Sequence, residues 1–445
     1  MHSLTGARVR FTVEAAFVSR SKPRSFADAA ARLVAGGPPA ARTETRFIRP
    51  SPPVSRRILL SGHSVLSTVS HQVAVIGTGA DPETRDREGY AMAYRHASGY
   101  QRLDDCTIVA CADIVRENAE AFAAHNDVDG VYEDHEAMLE EAEPDIVSVC
   151  VPPAIHADLV VDSAEAPSVQ AVHCEKPMAT TWGDCKRMAS VCDREGVQLT
   201  IDHQRRLSEP VRRAKSMLDS GRIGELKRIE WSEVNLFDAG THLFDLCDHF
   251  VDGARAEWVL AAVDCSHENR WFGALNETRA IARWRYADGT IGFASTAEDG
   301  DTVVGPYLRI VGEDGVIEIQ TEDGTALRVR TDGGWTAIDT DETVYGPSPS
   351  LPRAALRKAT GYLPGPDWPP APQTHYERAI EHLVTCLDAG EEPIISGRRV
   401  LRGTELTFAS WESARRRGRA HLPLEIDDNP LEAMYDAGQL GGLAE

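Results

Sequence analysis

Three short stretches bring together side chains able to hold a nucleotide and move a proton. The first is Gly77-Thr78-Gly79, directly after the apolar run Gln72-Val73-Ala74-Val75-Ile76. A glycine turn at a strand end lets backbone amides approach a pyrophosphate, which then rests on the positive end of a helix. Asp113 ends a second apolar run, 107–112, where it can accept hydrogen bonds from an adenosine ribose and repel a 2′-phosphate. That pairing predicts NAD, with Arg116 one helical turn later leaving NADP open. The third glycine of the usual fingerprint is absent, because Ala80-Asp81-Pro82 begins an insertion running to Gly89.

The second stretch is Glu175-Lys176-Pro177, closing the apolar run 169–174. In an open α/β sheet, ligands bind beyond the carboxyl ends of the strands, where this tripeptide falls. Only six of the 47 cationic residues are lysines, so a general solubilising role explains Lys176 poorly. The third stretch runs from Asp238 through Gly240, His242 and Asp245 to His249. Its spacing puts two carboxylates and two imidazoles along one face of a helix predicted over 238–250. Such a face suits a solvated stripe, a metal site or a proton-transfer site, and spacing alone does not choose. Gly240 lets another backbone or a ligand come close.

These residues need a scaffold, and the chain's texture supplies one. Over 71–205, continuous apolar runs alternate with helical periodicity, which predicts a doubly wound parallel sheet covered on both faces, a Rossmann domain. Over 206–424, alternating segments joined by Asp288-Gly289 and Asp314-Gly315 predict an α+β domain with an open, largely antiparallel sheet. A Pro/Gly-rich loop is expected at 338–372, with two helices after it. Residues 1–70, rich in Arg, Ser, Ala and Pro, read as a disordered extension. Residues 425–445, with six acidic and no basic side chains, read as a frayed tail.

Composition excludes several function classes. The 445 residues carry a net charge of −22; residues 1–70 contribute 11 basic against 3 acidic groups, so the remainder carries 36 against 66. So acidic a body repels phosphate backbones, which argues against nucleic-acid binding. Arginine dominance with excess carboxylate suggests adaptation to a high-salt cytoplasm. No run approaches the ~18 apolar residues of a membrane helix. Nine cysteines without a CxxC pair read as reduced, buried thiols. The Arg56-Arg57 pair lies too deep in the chain, before too polar a segment, for an export signal, so a cytoplasmic location is expected.

Taken in order, the glycine turn, Asp113, Val151-Pro152-Pro153-x-x-His156, Glu175-Lys176-Pro177 and the Asp238-x-Gly240-x-His242-x-x-Asp245 pattern form a set. It resembles the Gfo/Idh/MocA oxidoreductases over roughly 71–330. The resemblance implies hydride transfer between a nicotinamide cofactor and a secondary alcohol of a sugar, polyol or cyclitol. It implies that His242 acts as general base, that Lys176 holds the reacting oxygen, and that Asp238 binds substrate or orients the imidazole. Gly77, Thr78, Gly79, Asp113, Pro153, His156 and Glu175 would contact NAD, and His203 and Arg205 the substrate. No metal is expected, and a homodimer or homotetramer is, because an uncovered sheet face would expose apolar surface. The same fold also serves NAD-assisted elimination or glycoside cleavage, and nicotinamide-binding regulators without turnover. A metal-dependent hydrolase on the 238–249 face would explain neither the glycine turn, Asp113 nor Glu175-Lys176-Pro177.

Overall fold

A computed structural model of the protein describes residues 70–82, 91–347 and 373–440. The 1–69 extension, most of the insertion after Gly79, residues 348–372 of the Pro-rich loop and the last five residues lie outside the described residues. The first domain holds β1 (His71–Ile76), β2 (Cys106–Ala112), β3 (Gly130–Tyr132), β4 (Ile146–Val149), β5 (Ala171–Cys174) and β6 (Gln198–Ile201). They form one sheet in the order β3-β2-β1-β4-β5-β6, with every pairing parallel. Alternate residues of β1 serve opposite faces. Val73 and Val75 pack with Tyr94 and Phe122, and Ala74 and Ile76 with Met138 and Val160. That is the doubly wound arrangement expected for a strand whose run Val73–Ile76 is apolar at every position.

The second domain holds β7 (Leu226–Glu233), β8 (Ala256–Asp264), the ribbon β9 (Arg270–Trp271) with β10 (Ala274–Leu275), β11 (Arg279–Tyr286), β12 (Ile291–Ala297), β13 (Leu308–Gly312), β14 (Val316–Ile319), β15 (Leu327–Thr331), β16 (Gly334–Ala337), the ribbon β17 (Glu342–Thr343) with β18 (Gly346–Pro347), and β19 (Ala420–His421). Its main sheet runs β16-β15-β14-β13-β7-β12-β11-β8-β19 and is antiparallel except where β12 meets β7. The inner face packs Trp231 and Trp284 against Phe244 of the helix Thr241–Phe250. The long helix Gly397–Arg416 adds Phe408 and Trp411, which meet Phe237.

Three expectations are corrected, while the uncovered face of this sheet, expected to be apolar, mixes charged and apolar side chains. Arg309 pairs with Glu230 at 3.1 Å and Glu318 at 2.7 Å, and Arg328 covers the other side of Glu318. Leu260, Ile281 and Trp335 are exposed large apolar residues on it. The helix expected from 238 starts at Thr241, leaving Asp238 in the preceding turn. The tail is not frayed over 430–436, where Asn429 caps the helix Pro430–Asp436 and Leu431 and Met434 are buried. Finally, the helix His375–Ala389 leaves the second domain to cover the first, setting Ile380 and Leu383 against the Tyr94–Ala97 face of the helix Met92–Tyr100.

Candidate active site

A cleft of about 610 Å³ opens at the carboxyl ends of β1, β4 and β5 and is walled on its far side by the second domain. Gly77 and Gly79 form its floor at one end, with φ of 83° and 63°. A Cβ on Gly77 would lie 2.3 Å from Val151 Cγ1 and 2.9 Å from the Cys150 carbonyl oxygen, so only glycine fits. Among the described residues nothing lies within 4 Å of a Cβ placed on Gly79, which leaves room there for a phosphate. Asp113 stands behind the turn. Its Oδ2 accepts from the Gly79 amide at 2.9 Å and the Thr78 hydroxyl at 3.1 Å, and its Oδ1 accepts from the Val115 amide at 2.9 Å. Pro153 opens the 3₁₀ turn Pro153–Ile155 and lines the cleft.

His156 does not reach the cleft, against expectation. Its ring is buried with Nδ1 2.9 Å from the Pro177 carbonyl and Nε2 2.8 Å from the Val151 carbonyl, so it ties the β4 loop to the β5 loop. Burial pushes its pKa down. Glu175 does line the cleft, where Oε1 lies 3.1 Å from His96 Nε2 and Oε2 accepts from the Lys176 amide at 3.2 Å. Although burial opposes its charge, the His96 hydrogen bond and the neighbouring cations hold it below the usual carboxylate range.

On the opposite wall, Lys176 Nζ donates to the Asp238 carbonyl at 3.0 Å and to its Oδ1 at 3.1 Å. The Asp238 amide is held in turn by Asn276 Oδ1 at 3.1 Å. Gly240 permits this turn: a Cβ there would lie 2.5 Å from the Asn235 carbonyl oxygen. His242, in the first turn of the helix Thr241–Phe250, points into the same cleft and is 2% exposed. Burial first, then Arg205, His203 and Lys176, hold its pKa well below 6.5. The imidazole is therefore a neutral base with little positive charge to shed at neutral pH.

His203 stands behind His242, Nδ1 to Nδ1 at 3.3 Å and edge to face, and is buried away from the cleft, so it cannot meet a substrate as expected. Arg205 does line the cleft. It donates to the Tyr307 hydroxyl at 2.6 Å, and its guanidinium sits over the Tyr307 and Tyr345 rings. Asp245 is drawn away from the site by Arg206, which holds both its carboxylate oxygens at 2.6 and 2.7 Å. The four-residue face read from spacing is thereby split: Asp238 and His242 meet the cleft, and Asp245 belongs to a buried ion pair.

Arg95, Glu233, Tyr345 and Tyr376 also line the cleft and were not anticipated. Arg95 lies over the Tyr376 ring, two residues about 280 positions apart whose encounter no local pattern could signal. All nine cysteines are unpaired. Among the described residues no helix is long and apolar enough to cross a membrane.

Comparison with known proteins adds an independent line. Residues 72–203 match the family model described as an oxidoreductase family, NAD-binding Rossmann fold, and 227–422 match the C-terminal alpha/beta domain of the same Gfo/Idh/MocA set. D-apiose dehydrogenase of Paraburkholderia graminis is 26% identical over 338 residues, 72% of this chain and 84% of that protein. D-xylose 1-dehydrogenase [NADP(+)] of Haloarcula marismortui is 35% identical over 127 residues, 28% of this chain and 34% of its own. An oxidoreductase from Agrobacterium radiobacter, solved with NAD+, L-tartaric acid and magnesium, superposes with a TM-score of 0.62 at 20% identity, over 79% of this chain and 98% of the other. The WlbA dehydrogenase from Bordetella pertussis, solved with NADH and UDP-GlcNAcA, gives 0.59 at 21%, over 80% and 100%. The fold is thus shared across both domains.

Proposed function

The chain belongs to the Gfo/Idh/MocA family of NAD(P)-dependent oxidoreductases, and from that premise we propose that it oxidises a secondary alcohol of a sugar, polyol or cyclitol, with Lys176 and His242 handling the hydroxyl proton. The observation that carries this reading is one cleft holding the open glycine turn at one end and Lys176, Asp238 and His242 at the other. NAD, when bound, supplies the hydride acceptor, and Gly77, Thr78, Gly79, Asp113, Pro153 and Glu175 are the residues that would hold it. An ammonium has three N–H donors. Asp238 engages two of those on Lys176, leaving the third for a substrate oxygen, whose developing negative charge the ammonium would stabilise. Asp238 thereby positions Lys176 more directly than it orients His242. Neutral His242 takes the proton as the alcohol is oxidised. Arg205 and Gln204, whose Oε1 has no partner among the described residues, offer hydrogen bonds to the remaining hydroxyls. The pentose names of two relatives favour a sugar of that size.

The test is kinetic. Lys176→Ala should lower kcat by roughly 10²-fold or more, and His242→Ala by about 10²–10⁴-fold. Both should leave the NAD dissociation constant, read by tryptophan fluorescence, nearly unchanged. Because His242 is held well below 6.5, the limb on which the wild-type rate rises with pH should lie at lower pH than for a free imidazole, with the rate flat above neutrality. A His242→Ala enzyme with near-normal turnover, or a Lys176→Ala enzyme that loses NAD instead of rate, removes the assignment.

A further inference from the structure

Beneath the cleft, away from the groups assigned to proton transfer, four buried side chains converge from three elements. His96 comes from the helix Met92–Tyr100, His173 from β5, Asp202 from the end of β6, and Glu175 reaches down from the cleft floor. His96, His173 and Asp202 are each at most 1% exposed. His96 Nε2 lies 3.1 Å from Glu175 Oε1 and 3.6 Å from Asp202 Oδ2, and His173 Nε2 lies 3.8 Å from Asp202 Oδ1. Neither oxygen of Asp202 nor His173 Nε2 has a hydrogen-bond partner among the described residues.

The tautomers follow from the neighbours. The Thr200 hydroxyl reaches the Val172 carbonyl, its acceptor, at 3.4 Å, so Thr200 Oγ1 accepts from His173 Nδ1 at 2.8 Å. That leaves His173 Nε2 as a bare lone pair facing Asp202. His96 Nδ1 lies 3.3 Å from both Ser148 Oγ and Cys150 Sγ, and its Nε2 faces inward, where it donates to Glu175 Oε1 at 3.1 Å. His173 Nε2 and both Asp202 oxygens are thus buried acceptors without donors, which is costly. A divalent ion that displaces the proton from His96 Nε2 would give all of these groups a partner.

We propose that His96, His173 and Asp202 form a structural site for a divalent transition ion of the zinc type, with Glu175 beside them. Two imidazole nitrogens and a carboxylate oxygen are a zinc-like donor set. One ligand atom from each of the three lies within 4.8 Å of the others, and donors about 2.0–2.1 Å from a tetrahedral centre stand about 3.4 Å apart, so binding would draw them together. Thr200 would be the outer hydrogen bond that orients one ligand. The ion would lock the ends of β5 and β6 to the helix after the glycine turn, and its presence does not depend on the hydride-transfer reading.

The test uses the full chain without an affinity tag, purified without chelator. Elemental analysis should find about one equivalent of zinc or a related metal per chain, and roughly tenfold less in His173→Ala and Asp202→Asn. Chelator-stripped protein reloaded with cobalt should develop the visible bands of a tetrahedral site, absent in both variants. Thr200→Val keeps every ligand and should weaken zinc affinity about 10–100-fold, with an unchanged circular-dichroism spectrum. A wild-type chain that takes up neither zinc nor cobalt, or variants that retain as much metal, would overturn the site and leave a shared proton between these acceptors.

Discussion

Asp113 does two jobs with one carboxylate. A carboxylate offers about four lone-pair directions. The Gly79 amide, the Thr78 hydroxyl and the Val115 amide take three, so roughly one remains; on the proposed reading it would serve a ribose hydroxyl, and the negative charge would oppose a 2′-phosphate. Arg116, the residue that left NADP open, is engaged instead with Glu120 at 2.8 Å and Glu133 at 3.7 Å. NAD should therefore bind more tightly than NADP. Asp113→Asn, which keeps the shape and one acceptor, should narrow that preference by roughly tenfold, the size of one screened like-charge repulsion. Fluorescence titration of both cofactors decides it; an unchanged ratio means the carboxylate does not set the choice. At this scale Lys176, Asp238 and His242 were legible because their chemistry is carried by short motifs at strand and helix ends. His156 and His203 were misassigned for one shared reason. A histidine near a strand end is visible in sequence, but whether its ring turns to the cleft or to a buried carbonyl is decided by packing.

At the scale of elements, the doubly wound series was readable because each buried parallel strand is a continuous apolar run. β3 was not, since its three half-buried residues carry too little pattern. The C-terminal segment shows the opposite error. Its six acids and missing bases suggested a frayed tail, yet the compensating cations come from elsewhere. Arg270 holds Glu432 through two contacts, Lys186 holds Asp427, and Arg415 reaches Asp428. Leu431 at 0% and Met434 at 3% exposure then supply the apolar face that composition hid. This helix is a working part of the fold. Leu431→Ala should cost about 2–5 kcal/mol, the range for a truncated buried leucine, measured as a lower urea midpoint with an unchanged slope. Wild-type stability in that variant would mean that the segment is docked without contributing.

Across the whole molecule, the division into two domains followed from a change of texture near 206, but the closure of the cleft did not. It needs the helix His375–Ala389, which returns to the first domain after most of the second has been built, and that is a long-range packing decision. The close packing of both domains has a consequence for pH. Burial, the leading cause in each case, lowers the pKa of His156, His173, His203, His242 and His382, and holds His249 and His375 at about 3. In the unfolded chain these imidazoles titrate near 6.5. Above that value both states carry them neutral, and they add no pH dependence. Below it the unfolded chain binds protons that the folded chain refuses, so stability falls as pH drops, by at most about 1.4 kcal/mol per pH unit for each such proton. For His249 and His375 the loss continues down to about pH 3, where the folded state takes the proton too. His96, which its partners hold above 6.5, and Asp202 and Glu277, which burial lifts to about 6 and about 7, act in the opposite direction, but as three groups against seven. The urea midpoint at constant ionic strength should therefore drop steadily as pH falls from about 6.5 to 5. His249→Gln and His375→Gln, which cannot be charged in either state, should each flatten that descent. A midpoint that holds or rises on acidification would show that these rings become protonated without unfolding, and that the interior is more open to water than its packing implies.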